Sequence, residues 1–193
     1  MQSILIGVDR LNTFVGKLFG WSVLLLTFVI SYEVFCRYVL RSPTSWGYDA
    51  SYILYGTLFM MAGPYTLSRN GHVRGDFIYR KWRPVAQARM DLTLYLVFYF
   101  PGILALIYAG WSFAHMSFVM NEHSSFSPDG PIIWPFKMLI PITGVLMLLQ
   151  GLVETMRCII CIRTGDWPQR LHDVEEMEKL ILEEAAAKQN AGA

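Results

Sequence analysis

Charged side chains are scarce in this chain. Of its 193 residues only 16% are charged, whereas 54% are A, V, I, L, M, F, W, Y or C. An average soluble domain has roughly 25% charged residues, so we do not expect a water-soluble domain. The formal net charge is +1, which gives no basic field for nucleic acid, and no nucleic-acid partner is expected.

Cysteine and histidine are also rare, and this limits the cofactors that the chain can hold. The three cysteines, Cys36, Cys158 and Cys161, are too few for a disulfide framework, and we expect them to be buried or lipid-facing. Haem between transmembrane helices needs axial ligands inside the spans. Only His115 of the four histidines is near an apolar stretch, so we expect no haem, no metal site and no other cofactor.

Motifs for catalysis are missing as well. The sequence contains no G-x-S-x-G turn, no His/Cys set with metal-ligand spacing and no glycine-rich phosphate loop. His123, Ser124 and Asp129 are close in sequence, but such neighbours rarely form a catalytic triad. The prolines and glycine among the residues that follow indicate a turn-rich connection instead. We therefore expect no catalytic residues and no enzyme.

The chain does have four long apolar stretches. Each is nearly free of ionisable residues over about the 20 positions that cross the hydrocarbon core of a bilayer. The predicted fold is an all-α integral membrane protein with four transmembrane helices in a membrane domain, 18–163. The predicted spans are about 18–36, 50–68, 92–114 and 132–157.

The basic residues fall mainly on one side of these spans. Thirteen of the 16 Lys and Arg residues lie before the first span, between the second and third, or from the last residue of the fourth onward. By the positive-inside rule these three segments are cytoplasmic, and so are both termini.

Amphipathic segments flank the spans. Residues 1–17 carry apolar side chains at helical spacing, which predicts a helix lying on the cytoplasmic interface. Basic and aromatic residues in the middle loop are expected to contact membrane lipid. The tail, 164–193, begins with Asp166 as a predicted N-cap and carries an apolar stripe, so we expect a short cytoplasmic amphipathic helix.

One acidic residue inside a predicted span has two interpretations. Small multidrug-type proton antiporters are compact four-helix proteins whose first helix carries an essential glutamate, and Glu33 offers such a residue. Glu33 also lies four residues before Arg37, so the two can form an ion pair on one helix face. The first interpretation makes the chain a stand-alone proton-coupled antiporter, and the second makes Glu33 structural.

Two segments on this topology resemble a known family. The first segment lies at the start of the second span and combines Arg37-Tyr38, Ser42-Pro43-Thr44 and Trp46-Gly47-Tyr48-Asp49. The other segment lies just after that span and reads Gly71-His72-Val73-Arg74-Gly75-Asp76. Together they resemble the small, DctQ-like membrane subunit of tripartite ATP-independent periplasmic (TRAP) transporters, over about residues 8–163. Members often carry an acid and an arginine where this chain has Tyr48 and Tyr52, so only Asp49 of that charge network is carried over.

The resemblance implies a transporter with three parts: a periplasmic solute-binding protein, a large permease subunit and this small subunit. Such transporters are Na⁺-coupled and mostly take up organic acids. The large subunit is expected to hold the substrate and the Na⁺, while this chain acts as its scaffold in the bacterial inner membrane.

The resemblance also assigns roles to the motif residues. Gly71 is expected to form the turn after the second span, while His72 and Asp76 order the loop through hydrogen bonds. Arg74 is expected to contact a phosphate or a partner, and Trp46 to anchor its helix at the membrane interface. Arg37 and Asp49 are family-motif residues with structural or partner contacts, and the sequence does not identify the partner of Asp49.

Overall fold

The structure is a computed structural model that describes residues 2–71, 79, 82–128 and 130–168. The described chain is helical, apart from an isolated β-bridge between His123 and Ile132. The helices are α1 (Gln2–Gly20), α2 (Ser22–Tyr38), α3 (Gly47–Ser68), α4 (Pro84–Leu94), α5 (Phe100–Val119) and α6 (Trp134–Thr164). A single π-helical turn, Tyr95–Tyr99, joins α4 to α5 without interrupting the rod.

Three helical segments are long and apolar enough to cross a membrane: Leu5–Tyr38, Pro84–Val119 and Trp134–Thr164. Helix α3 has 22 residues but is not among them, because tyrosine, glycine and threonine lower its apolarity. The predicted spans 92–114 and 132–157 correspond to the second and third of these segments. The predicted span 18–36 crosses the junction of α1 and α2 at Trp21, and 50–68 corresponds to α3.

The helices form one bundle in which α3 packs against α1, α2 and α6, and α6 also packs against α5, α4 and α1. We call the end that carries the α2–α3 and α5–α6 connections the loop end, and the opposite end the tail end. At the tail end, α4 and α6 share a small apolar core of Ala88, Cys158 and Cys161. The two cysteines are thus buried between helices.

Glycines set the closest approaches between helices. A Cβ atom on Gly16 of α1 would lie 2.4 Å from Cβ of Tyr65 in α3, and one on Gly151 of α6 would lie 2.3 Å from the Tyr99 ring. Such contacts are possible only without a side chain, which is the usual role of small residues in membrane bundles.

Two helices end on asparagine in the left-handed conformation. Asn70 after α3 has φ 55° and Asn121 after α5 has φ 45°. The amide of Gly71 donates to the carbonyl of Thr66 at 2.9 Å, and that of Glu122 to Ser117 at 3.0 Å, which completes Schellman-type caps. The left-handed residue of the turn after α3 is Asn70, and Gly71, which the sequence assigns to this turn, contributes its amide to the cap.

The N-terminal segment, predicted as an interfacial helix over 1–17, forms α1. It is helical, but α1 buries Asp9 and Asn12 against α6, because these polar groups find partners there. Most of the predicted tail helix within 164–193 lies outside the described residues. Asp166 follows the end of α6 in a bend and is exposed.

Candidate functional site

A network of polar side chains is buried between α1 and α6. Its members are at most 2% exposed. The amide of Gln150 is at its centre: it donates to Asp9 at 2.9 Å and to Glu154 at 3.3 Å, and it accepts from Asn12 at 2.8 Å. Arg157 donates to Asp9 and, at 2.6 Å, to Glu154. The network therefore ties α1 to α6 with directional bonds.

The charges of this network are arranged around one guanidinium. Arg157 is bonded to the carboxylates of Asp9 and Glu154 at once. A buried charge without a partner costs several kcal/mol or more, whereas a bonded one is tolerated. Each charge thus requires the others, and α1 cannot leave α6 without exposing Arg157 and its acids to an apolar environment.

Sequence reasoning missed this network. Glu154 and Arg157 interrupt the apolar stretch of the fourth predicted span, and Asp9 lies within the helix predicted for 1–17. A signal was present, since Gln150, Glu154 and Arg157 are spaced by four and three residues and therefore share one face of a helix. Polar residues on a single face of an apolar helix indicate a protein contact, and not a face that points to lipid.

Glu33 lies at the loop end of α2 and is bonded to its own helix and to the next connection. One carboxylate oxygen accepts from Arg37 at 2.7 Å. The other accepts from the Thr44 amide at 3.1 Å and from the Thr44 hydroxyl. The hydroxyl oxygen of Thr44 in turn accepts from the amide of Gly47 at 3.1 Å, which caps the start of α3. Glu33 thus fixes the turn between α2 and α3.

Asp49 in the first turn of α3 is 1% exposed, and the structure identifies the partners that the sequence left open. The hydroxyls of Ser124 and Ser127, in the α5–α6 connection, donate to its two oxygens. Hydrogen bonds from hydroxyl groups to a buried carboxylate are charge-assisted and strong. Asp49 therefore clamps the α5–α6 connection onto the loop end of α3.

The clamped connection is also held by its own bonds. The imidazole Nδ1 of His123 lies 2.8 Å from the carbonyl of Gly130, and the Ser124 amide donates to the carbonyl of Pro131 at 2.9 Å. A Cβ on Gly130 would lie 2.1 Å from the carbonyl oxygen of Ser124, so the position requires glycine. His123 and Ser124 thus order a turn, as the sequence indicated.

An ion pair joins the start of this connection to α6. Glu122, just beyond α5, accepts from Lys137 of α6 at 2.5 Å. This ammonium lowers the pKa of Glu122 below its ordinary value. The Lys137 ammonium also lies 4.0 Å from the centre of the Phe113 ring, where a cation is attracted by the ring face.

The remaining predicted site residues lie apart from these contacts. Trp46, just before α3, is half exposed and stacks on Tyr32 at 6.1 Å between ring centres. Gly71 is exposed at the end of the α3 cap. His72, Arg74 and Asp76 lie outside the described residues. The described parts of the chain contain no group of His, Cys, Asp or Glu side chains that could hold a metal ion.

The chemistry of these contacts is that of helix attachment. The buried carboxylates, amides and guanidinium bond to one another or to loop hydroxyls. Each contact joins two segments of the chain: they fix α1 to α6, α2 to α3, α3 to the α5–α6 connection, and the start of that connection to α6.

No curated protein matches the chain. Residues 26–160 match the family described as tripartite ATP-independent periplasmic transporters, DctQ component. The match covers α2 to α6 almost completely and more than half of the chain. It does not support the alternative of a stand-alone proton-coupled antiporter. The chain therefore belongs to the DctQ family, a component of tripartite transporters and not an enzyme family.

Proposed function

We propose that the protein is the static scaffold of its transporter and does not carry substrate by itself. It braces a large permease subunit, which receives substrate from a periplasmic solute-binding protein. In this proposal the chain crosses the bacterial inner membrane four times, α3 being the span of lowest apolarity, with both termini in the cytoplasm.

The observation that carries the proposal is that the buried polar groups bond segments of this chain to one another. The Asp9–Gln150–Arg157 contacts join α1 to α6, and Asp49 joins α3 to the α5–α6 connection. Groups that bind and release an ion or an organic acid must change partners during transport, whereas these groups hold helices together. Such contacts suit a rigid support.

The energy source and substrate are assigned to the large subunit. Transport in this family is ATP-independent by its description, and we propose that an inward Na⁺ gradient drives it. Organic acids are the substrate class that the family resemblance supports. Neither Na⁺ nor substrate requires a site in this chain.

Reconstitution into liposomes tests the proposal. Uptake of a radiolabelled organic acid, driven by an inward Na⁺ gradient, is measured with the large subunit and solute-binding protein present, with and without this chain. The chain alone should give no uptake, and its addition should restore uptake by the large subunit. Na⁺-driven uptake by the isolated chain would overturn the scaffold role.

Glu33→Gln separates the scaffold from the antiporter. In a scaffold, the amide oxygen of the substituted side chain can still accept from Thr44 and the bundle keeps its other contacts, so uptake by the whole complex should fall less than about threefold. In an antiporter, the same change should abolish proton-coupled exchange. A complete loss of transport in a complex that still assembles would contradict the structural role of Glu33.

A further inference from the structure

The exposed side of α3 is made of aromatic residues alone. The exposed residues of this helix are Tyr48, Tyr52, Tyr55 and Phe59, with exposed fractions between 47% and 68%. Their spacing of four, three and four residues places them on one stripe. Every other residue of α3 is buried or half-buried.

A residue of the α5–α6 connection extends this stripe beyond the helix. The ring of Phe126 is centred 5.2 Å from that of Tyr48 and 6.2 Å from that of Tyr52. The serine bonds of Asp49 hold this connection in place, so Phe126 is fixed relative to α3. We call the surface formed by Tyr48, Tyr52, Tyr55, Phe59 and Phe126 the α3 aromatic face.

The α3 aromatic face differs in composition from the exposed side of α6. The exposed residues in the middle of α6 are all aliphatic or methionine, which suits contact with acyl chains. They are Ile142, Val145, Leu149, Leu152, Met156 and Ile159.

The tyrosine hydroxyls of the α3 aromatic face require partners that lipid tails do not offer. The hydroxyls of Tyr48, Tyr52 and Tyr55 form no hydrogen bond within the described part of the chain. Aromatic belts lie at the headgroup level. In the proposed four-span topology α3 crosses the bilayer, and at 1.5 Å per residue Tyr55 lies roughly 12 Å along this helix, beyond that level. Hydrocarbon at that depth contains no hydrogen-bond acceptor.

Protein surfaces can satisfy these side chains. Tyrosine and phenylalanine are enriched where proteins bind each other, because they bury a large rigid area and, for tyrosine, form a hydrogen bond at one end. A few such anchors usually supply most of the binding energy of an interface. The exposed tyrosines, which lower the apolarity of α3, are thus side chains expected at an interface between subunits.

We propose that the α3 aromatic face binds the large membrane subunit of the transporter. The partner is a transmembrane helix or helix pair with small residues, against which the rings pack, and carbonyl or hydroxyl oxygens, to which the tyrosines donate. This inference rests on the proposed function, since it assigns the surface through which the scaffold binds the large subunit.

Photo-crosslinking tests the contact directly. The photoreactive amino acid p-benzoylphenylalanine replaces Tyr55 on the α3 aromatic face or, as a matched control, Leu149 on the aliphatic face of α6. Each chain is co-expressed with the large subunit of the same transporter and irradiated in native membranes. A crosslink to the large subunit should form from position 55 and be at least about tenfold weaker from position 149.

The outcomes separate this inference from the proposed function. A crosslink from position 149 and none from 55, or lipid adducts at both while the unmodified chain co-purifies with the large subunit, would overturn the assigned face. Failure of the unmodified chain to co-purify with the large subunit would instead overturn the proposed function.

Substitutions give a second, independent readout. Tyr52→Ala combined with Tyr55→Ala should reduce co-purification of the large subunit by about tenfold or more, whereas Leu149→Ala combined with Leu152→Ala should leave it unchanged. Tyr52→Phe with Tyr55→Phe removes only the hydroxyls and should give an intermediate loss. Size-exclusion profiles and melting curves of each isolated variant check folding; equal co-purification by all folded variants would overturn the inference.

Discussion

Arg157 in α6 and Asp9 in α1, 148 residues apart in sequence, form an ion pair in which both side chains are 1% exposed. Glu154 shares the same guanidinium. The helix that begins the described chain is thereby fixed to the helix that ends it by a contact that no water screens, and the stability of the bundle should depend on it.

Arg157→Ala should destabilise the bundle strongly. It leaves the carboxylates of Asp9 and Glu154 buried without their cation, and breaking a buried pair in this way typically costs about 3–5 kcal/mol. The free energy of unfolding in detergent, followed by circular dichroism, measures the effect. Arg10→Ala is the matched control, since Arg10 is exposed on α1 and its loss should cost little; equal effects from the two variants would contradict the network.

Asp49→Ala should release the α5–α6 connection from α3. The hydroxyls of Ser124 and Ser127 lose their acceptor, and hydrogen bonds to a charged group are worth about 1.5–3 kcal/mol. Hydrogen–deuterium exchange of residues 122–132 should become faster. Ser124→Ala with Ser127→Ala should reproduce this, whereas Ser51→Ala, which removes only a bond from Ser51 to its own helix, should not.

Gly16→Ala should force α1 away from α3. The new methyl group would meet Cβ of Tyr65 at 2.4 Å, an atom next to the backbone that cannot move aside, and overpacking of this kind costs roughly 1–3 kcal/mol. Gly7→Ala lies on the same helix, where a Cβ meets nothing within 4 Å, and should be neutral or slightly stabilising. Melting temperatures of the two purified variants test the difference; a Gly16→Ala variant as stable as Gly7→Ala would rule out the close approach.

The Glu122–Lys137 ion pair should make the loop end sensitive to acid. Because its pKa is lowered in the folded chain, the contribution of Glu122 to stability is present above its ordinary pKa of about 4.3. This contribution is lost as the pH falls through the lower pKa of the folded state. Melting curves from about pH 7 down to about pH 3 should therefore show a smaller difference between the native chain and Glu122→Gln at the acid end. A difference that stays constant with pH would exclude this linkage.

Local features of the fold follow from the sequence, and distant pairings do not. The Glu33–Arg37 spacing of four residues permits the observed pair, and charge-free runs indicate where α5 and α6 lie. The partners of Asp49 are 75 and 78 residues away, and no local pattern points to two serines in a turn-rich connection. The burial of Asp9 likewise depends on a distant partner, Arg157 in α6. In an isolated α1 this carboxylate would be exposed to water, as on an interfacial helix.

The small apolar core that Ala88 shares with Cys158 and Cys161 has a consequence for the shape of the protein. The continuous rod Pro84–Val119 has 36 residues, about 54 Å at 1.5 Å per residue, against a hydrocarbon thickness of roughly 30 Å. An ordinary tilt of about 20° shortens its projection by only a few ångströms. Because α4 is the polar end of this rod, we expect α4 and the end of α6 to project beyond the hydrocarbon core together, held to each other by this apolar core.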